Sequence, residues 1–225
     1  MTAKIQELFI TPGPHPNGLQ SASDGLWVID QADNYVYKLS YDDGSIIIKM
    51  KTDADRASGI TLGDGFIWIA STYNCKILKL DLNTGETLEK YGTPGAGVVD
   101  GLKNDPNAVK TGAHGLEWVD GKLWMAIPPS QTLCQVDPST WKVLKSFPTP
   151  GNRPHGLAWD NGYFWLADTN MKGIHKIDPN NGKVVDAIND VEPYPHGMTM
   201  YQDSLWCCDA DTRMIYSIDR LKIKD

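Results

Sequence analysis

Short bursts of apolar residues, four to six positions long with polar residues interleaved, recur along the chain and are broken by Asp-Gly, Asn-Gly and Pro-Asn-Asn-Gly turns. The stretch 153–185, RPHGLAWDNGYFWLADTNMKGIHKIDPNNGKVV, shows the unit most clearly. Alternation with a period of two predicts strands with one buried face. Here it predicts strands over 156–159, 163–167, 174–177 and 184–188, with tight turns at Asn161-Gly162 and at 179–182. Four strands joined in this way form an antiparallel meander. No stretch carries the periodicity of a long amphipathic helix.

The unit is written five times. Trp165 has counterparts at Trp27, Trp68, Trp124 and Trp206, separated by 41, 56, 41 and 41 residues. Gly156 has counterparts at Gly18, Gly59, Gly115 and Gly197 with the same spacings, and Asp178 falls on Ser40, Asp81, Asp137 and Asp219. One meander cannot bury both of its faces, whereas five arranged around an axis can. The expected fold is therefore an all-β, five-bladed β-propeller forming a single domain over 1–225. Its innermost strands should start near Asn17, Ser58, His114, His155 and His196.

The fifth copy stops after its third strand, 214–218. Phe9 precedes Asn17 by eight residues, as Phe147 precedes His155 and Ile188 precedes His196. Residues 5–9 should thus supply the missing outer strand, closing the ring and removing an open edge. The 56-residue step contains one repeat plus 15 residues, placed within 92–112, GTPGAGVVDGLKNDPNAVKTG. This insertion is expected to be a loop between one blade's outer strand and the next blade's inner strand. It either covers a site or is a mobile surface decoration.

Composition narrows the partners. A formal net charge of −7 argues against nucleic acid or an anionic membrane as a partner, since both demand a basic face. Residues 1–10 lack a basic segment followed by an apolar core, and no run is long enough to span a bilayer. Cys75, Cys134, Cys207 and Cys208 have neither metal-like nor disulfide-like spacing and read as reduced thiols. A cytoplasmic monomer acting on a small molecule is expected.

Candidate chemistry gathers at the residue before each repeat's Gly, which opens the innermost strand. That position holds Asn17, Ser58, His114, His155 and His196, and in a propeller these side chains begin as a ring around the channel mouth. Three His from consecutive blades suggest a site for a divalent metal such as Zn, Mg, Mn or Fe, with further positions open to water or substrate. The alternative is a repeat His bonded to a neighbouring backbone. Two residues earlier stand His15, Arg56, Gly112, Arg153 and Tyr194. Arg56 and Arg153 suit an anionic substrate group, or else bridge to surface carboxylates. Tyr194 serves as acid or base if a nearby cation lowers its pKa. Glu117 is the only acid three positions past the ring, where it could ligate a metal, orient a His, act as base or pair with a Lys. Asp30, Asp168 and Asp209 end second strands and should stabilise the following turns. His175, in a third strand, is expected at the surface.

The pattern PHGLAWD, GYFWLADT, IHKIDP resembles the NHL and streptogramin-lyase type of propeller repeat over the whole chain. Streptogramin B lyases resemble it in drawing catalytic His from the PHG position around a divalent cation, to open an ester by elimination. Peptidyl-hydroxyglycine amidating lyases are similar in holding a metal by three axial His with Arg and Tyr nearby. The resemblance implies that His114, His155 and His196 form the metal or catalytic set, with Arg56, Arg153 and Tyr194 in support. Those families have more than five blades, so a smaller pocket is implied here. The expected activity is a metal-dependent lyase on a small anionic substrate at the channel mouth, with His15, Asn17 and Ser58 helping to bind it. A lactone or ester hydrolase would use the same groups. A non-catalytic scaffold for a peptide or protein is the alternative of another class.

Overall fold

The computed structural model describes residues 5–219, and every element among them is a β-strand. In chain order, β1 (Ile5–Ile10) comes first. Blade 1 contains β2 (Pro16–Ala22), β3 (Gly25–Asp30), β4 (Tyr35–Leu39) and β5 (Ile46–Lys51). Blade 2 contains β6 (Ala57–Gly63), β7 (Phe66–Ser71), β8 (Lys76–Asp81) and β9 (Thr87–Gly92). Blade 3 contains β10 (Leu116–Val119), β11 (Lys122–Ile127), β12 (Thr132–Val136) and β13 (Val143–Pro148). Blade 4 contains β14 (Pro154–Asp160), β15 (Tyr163–Asp168), β16 (Gly173–Ile177) and β17 (Val184–Ile188). Blade 5 contains β18 (Met198–Tyr201), β19 (Ser204–Cys208) and β20 (Met214–Asp219).

Each blade is a four-stranded antiparallel sheet, and β1 completes blade 5 as its outermost strand, in the order β1-β20-β19-β18. Ile5 pairs with Ile218 and Ile10 with Met214, so the chain closes its own ring as the sequence led us to expect. Asp-Gly and Asn-Gly turns hold the inner pairs together. Asp64-Gly65, Asp120-Gly121 and Asn161-Gly162 all have positive φ, the hairpin-turn conformation that suits these residue types.

Burial explains why the repeat keeps its apolar positions. Five apolar clusters lie at the five interfaces between blades. The repeat Trp residues are 2–8% exposed within them. His175 is a correction: it is 4% exposed, on β16 of blade 4, and its Nε2 is buried without a hydrogen-bond partner. Third strands here bury most of their residues, and the register places His175 opposite the buried Leu166. Among the described residues all four Cys are free thiols. No helix among the described residues is long and apolar enough to cross a membrane.

Candidate functional site

The residues before the repeat Gly sit at β-bulges. In blades 1, 2 and 4 the register slips between Pro16 and Gly18, Ala57 and Gly59, and Pro154 and Leu157. Blades 3 and 5 do the same just outside the formal strands. His114 N–H donates to Ala126 O while Ala126 N–H donates to Gly115 O, so two residues oppose one. His196 and Gly197 oppose Cys208 in the same way. An extra residue at this point bends the strand and re-aims its side chain. Repeated five times, it aims Asn17, Ser58, His114, His155 and His196 toward the axis.

The Gly that follows is dictated by crowding. A Cβ on Gly156 would lie 2.5 Å from His196 O, and one on Gly18 would lie 2.7 Å from Ser58 O. Gly59 and Gly115 meet the carbonyls of His114 and His155, and Gly197 meets the backbone of blade 1. Each blade's Gly thus lets the next blade's ring residue approach, which fixes the spacing of the ring.

Asp30 and Asp168 hold the loops that enter it. Asp168 Oδ1 accepts from Asn170 and Met171 N–H, securing the turn, and its Oδ2 accepts from Arg153 N–H at 2.9 Å. Asp30 does the same for its turn and for His15 N–H. Asp209 secures its turn through Asp211 and Thr212 N–H. The turn role expected of these acids is found, and the clamp on the incoming loop is additional.

Within the ring lies a cavity of about 510 Å³ whose walls include His15, Asn17, His114, Arg153, His155 and His196. Below it the axis narrows to about 10 Å³ between the inner-strand Gly residues and Leu19, Ile60, Leu116, Leu157 and Met198. The cavity is therefore a cul-de-sac. Ring centroids are 4.3 Å apart for His114 and His155, 5.6 Å for His155 and His196, and 6.4 Å for His196 and His15.

Burial decides the charge state of these rings. It pushes His114 down to about 3, with the charges of Arg153 and His196 adding to the effect. His155 lies well below the ordinary range, first through burial and then through His114 and His196. His196 is lowered by burial, against the pull of the Tyr194 carbonyl and Asp209. All three are neutral at pH 7. His155 Nδ1 faces Arg153 O at 3.1 Å, so the proton sits on Nδ1 and Nε2 keeps its lone pair. The Nδ1 atoms of His114 and His196 are buried without a well-formed hydrogen bond.

Neutral imidazoles are the form that ligates metals. Among the described residues, however, no three His, Cys, Asp or Glu side chains are grouped so as to hold a metal ion.

Other expected site residues lie elsewhere. Glu117 does not line the cavity. It is 5% exposed, accepts from Trp118 and Trp159 N–H at 3.1 Å each, and is pushed up to about 7, chiefly by burial. Three positions along an extended strand carry a side chain too far down the axis to reach the ring. Tyr194 is 40% exposed outside the cavity, with Lys172 over its ring at 5.0 Å. Arg56 stacks on Tyr73 at 4.7 Å and borders a neighbouring shallow hollow that shares His15 and Gln31. Ser58 lies beneath the cavity, accepting from Gln31 Nε2 at 3.0 Å. Sequence reading overlooked Gln31, Tyr73, Asn152 and Asn170, which reach the cavity from loops after second strands and before inner ones. They fall at three different positions of the repeat, so no single shared register points to them. The insertion does run over this end: Val99, Asp100, Gly101, Leu102, Val109 and Thr111 line the cavity.

Fold and site together define a five-bladed β-propeller with a histidine- and arginine-lined cul-de-sac at one end of its axis. No known family's sequence profile matches the chain, and no curated protein matches it. Among solved structures, glutaminyl cyclase from Myxococcus xanthus superposes with a TM-score of 0.73 at 12% identity, covering 97% of this chain and 94% of that one. A catalytically inactive His-to-Ala variant of virginiamycin B lyase from Staphylococcus aureus, with quinupristin, gives 0.58 at 19% identity, over 91% of this chain and 66% of its own. A streptogramin B lyase gives 0.55 at 22%, over 91% and 64%. The likeness to streptogramin lyases holds at the level of fold, and this chain spans about two-thirds of their length.

Proposed function

We propose that this chain is an enzyme acting on a small anionic molecule in the His/Arg cul-de-sac, and that the reaction is a lyase elimination. One observation carries the reading: His114, His155 and His196 crowd together, neutral, beside the Arg153 guanidinium in a closed-ended cavity. A packed interior has no use for three imidazoles beside a cation, two of them with buried Nδ1 atoms that lack a well-formed hydrogen bond. A substrate anion does, because Arg153 can bind it through charged hydrogen bonds. Bringing that negative charge in also offsets Arg153 and raises the His pKa values toward the range where a base works.

His155 is the base, since its Nδ1–H is held by the Arg153 carbonyl and Nε2 is free to take a proton. In the elimination a C–H bond breaks toward His155 Nε2, its electrons form the new double bond, and the bond to the leaving oxygen breaks. That oxygen then recovers a proton from an imidazole. Arg153 steadies the negative charge developing on the substrate's acid group. The enzymes among the structural neighbours support an enzymatic reading in outline, and a His is needed for activity in one of them. The donor chemistry of the His set suits a divalent metal while its spacing does not, so no step here uses one. A hydrolase would use the same base on water.

The test is a screen of anionic esters, lactones and β-substituted carboxylic acids with the intact protein. Deuterium at the abstracted position should slow the reaction, and ¹⁸O from water should stay out of the product. His155→Gln should lose turnover by at least a hundredfold. Arg153→Met should weaken substrate binding by about 1.5–3 kcal/mol. A His155→Gln protein turning over its best substrate at the wild-type rate would sink the proposal. ¹⁸O incorporation would move it to hydrolysis. Stoichiometric Zn²⁺ binding by calorimetry, lost in His155→Gln, would restore the three-His metal reading.

A further inference from the structure

The cavity has two unlike walls. The blades supply His, Arg153 and carboxamides, whereas the insertion supplies Val99, Leu102 and Val109, joined by Pro128 from blade 3. Leu102 is 51% and Val109 56% exposed, so both offer apolar surface on the cavity wall. The only charged side chain of the insertion on the cavity wall is Asp100, which pairs with Lys103 at 2.9 Å and accepts from Gln131 Nε2 at 3.3 Å. An anionic head is turned away by that carboxylate and drawn to Arg153, leaving the rest of the molecule against the apolar side chains. Asn17 adds a third constraint. It is 4% exposed, and its buried Oδ1 has no partner, an acceptor that a ligand N–H or O–H would satisfy. At about 510 Å³ the space exceeds what a carboxylate and one donor occupy.

Resting on the anionic-substrate reading above, we infer that the substrate is an amphipathic anion: a carboxylate for Arg153, an N–H or O–H for Asn17 Oδ1, and an apolar group lying on Val99, Leu102 and Val109. The insertion is then the specificity element of the site.

N-acylglycines carry all three features and serve as probes. Calorimetry with the full chain would compare N-acetyl-, N-butyryl-, N-hexanoyl- and N-octanoylglycine. A fully buried methylene is worth about fourfold in Kd, and a half-covered one about twofold, so octanoyl should bind at least about tenfold tighter than butyryl. In Leu102→Ser/Val109→Ser that ratio should fall below about threefold, and Leu102→Ala should lie between. The ratio is internal to each protein, so a general loss of affinity does not mimic the effect. Arg153→Met should weaken every member by a similar factor. A wild-type Kd independent of chain length overturns the inference, as does an undiminished gradient in the double variant. Binding is read without turnover, so the two readings fail separately. Probes that bind with the gradient while His155→Gln leaves catalysis intact sink the lyase reading alone. Turnover of an anion with no gradient sinks this one alone.

Discussion

Two hydrogen bonds in series set the orientation of the His155 ring. Asp168 holds the Arg153 amide, and the Arg153 carbonyl then holds His155 Nδ1. Glu117 shows the opposite case, a buried acid committed to structure. Its carboxyl joins backbone N–H groups of blades 3 and 4 and the Thr61 side chain, and Thr61 donates to Gln20 Oε1 at 2.8 Å. Because its pKa rises from 4.5 to about 7, the folded state holds a proton that the unfolded chain has released between those values. The stability tied to this group is full below about pH 4.5 and is lost as pH rises through about 7, by up to about 3 kcal/mol. Glu117→Gln cannot titrate. Denaturant unfolding should show wild type losing ground to the variant from pH 5 to pH 8, and a pH-independent difference would refute the assignment. The buried His residues act in the reverse sense, stabilising least toward acid pH, and are common to both proteins. The three His line one cavity because they share one repeat position. Glu117 and Tyr194 lie off the cavity, which counting along a strand does not reveal, since it gives the position but not the depth or the face.

Strands and turns were the most legible level. Val184–Ile188 and Tyr163–Asp168 match the expected runs to within a residue, since turn residues and period-two burial are local properties. The bulges were not legible. They arise where a strand must bend to meet its neighbours at the axis, a demand set by the ring and by no local residue. The repeat Gly was visible as a marker, but its reason lies in the carbonyl of the next blade. Gly156→Ala should therefore cost ~1–3 kcal/mol or more through overpacking against His196 O and Met198. Gly92→Ala, with nothing within 4 Å of its added methyl, should be near neutral. Equal melting temperatures for the two variants would show that the axis can relax.

At the scale of the molecule, five interfaces and one seam carry the stability. The seam is β1 on β20, where Phe9 meets Trp206 edge-on with centroids 6.2 Å apart, beside the stacked pair Tyr41 and Tyr201. Removing residues 1–10 should strip blade 5 of its outer strand and expose the apolar cluster shared with blade 1. Thermal unfolding should then move to lower temperature as a single transition, because every blade leans on two others. A truncated protein melting like the intact one would mean that the seam contributes nothing.

That seam also sets a timetable. Ile5 leaves the ribosome ahead of its partner Ile218, which lies roughly 210 residues further along the chain. At roughly 5–20 residues per second, β1 waits on the order of 10–40 s for the strand it must join. Through that interval the nascent chain carries an unmatched strand and, following it, a growing stack of blades with an open edge. A neighbouring nascent chain on the same message offers β1 the same partner sooner, so slow translation or crowded polysomes should favour chains clasped to each other over chains clasped to themselves.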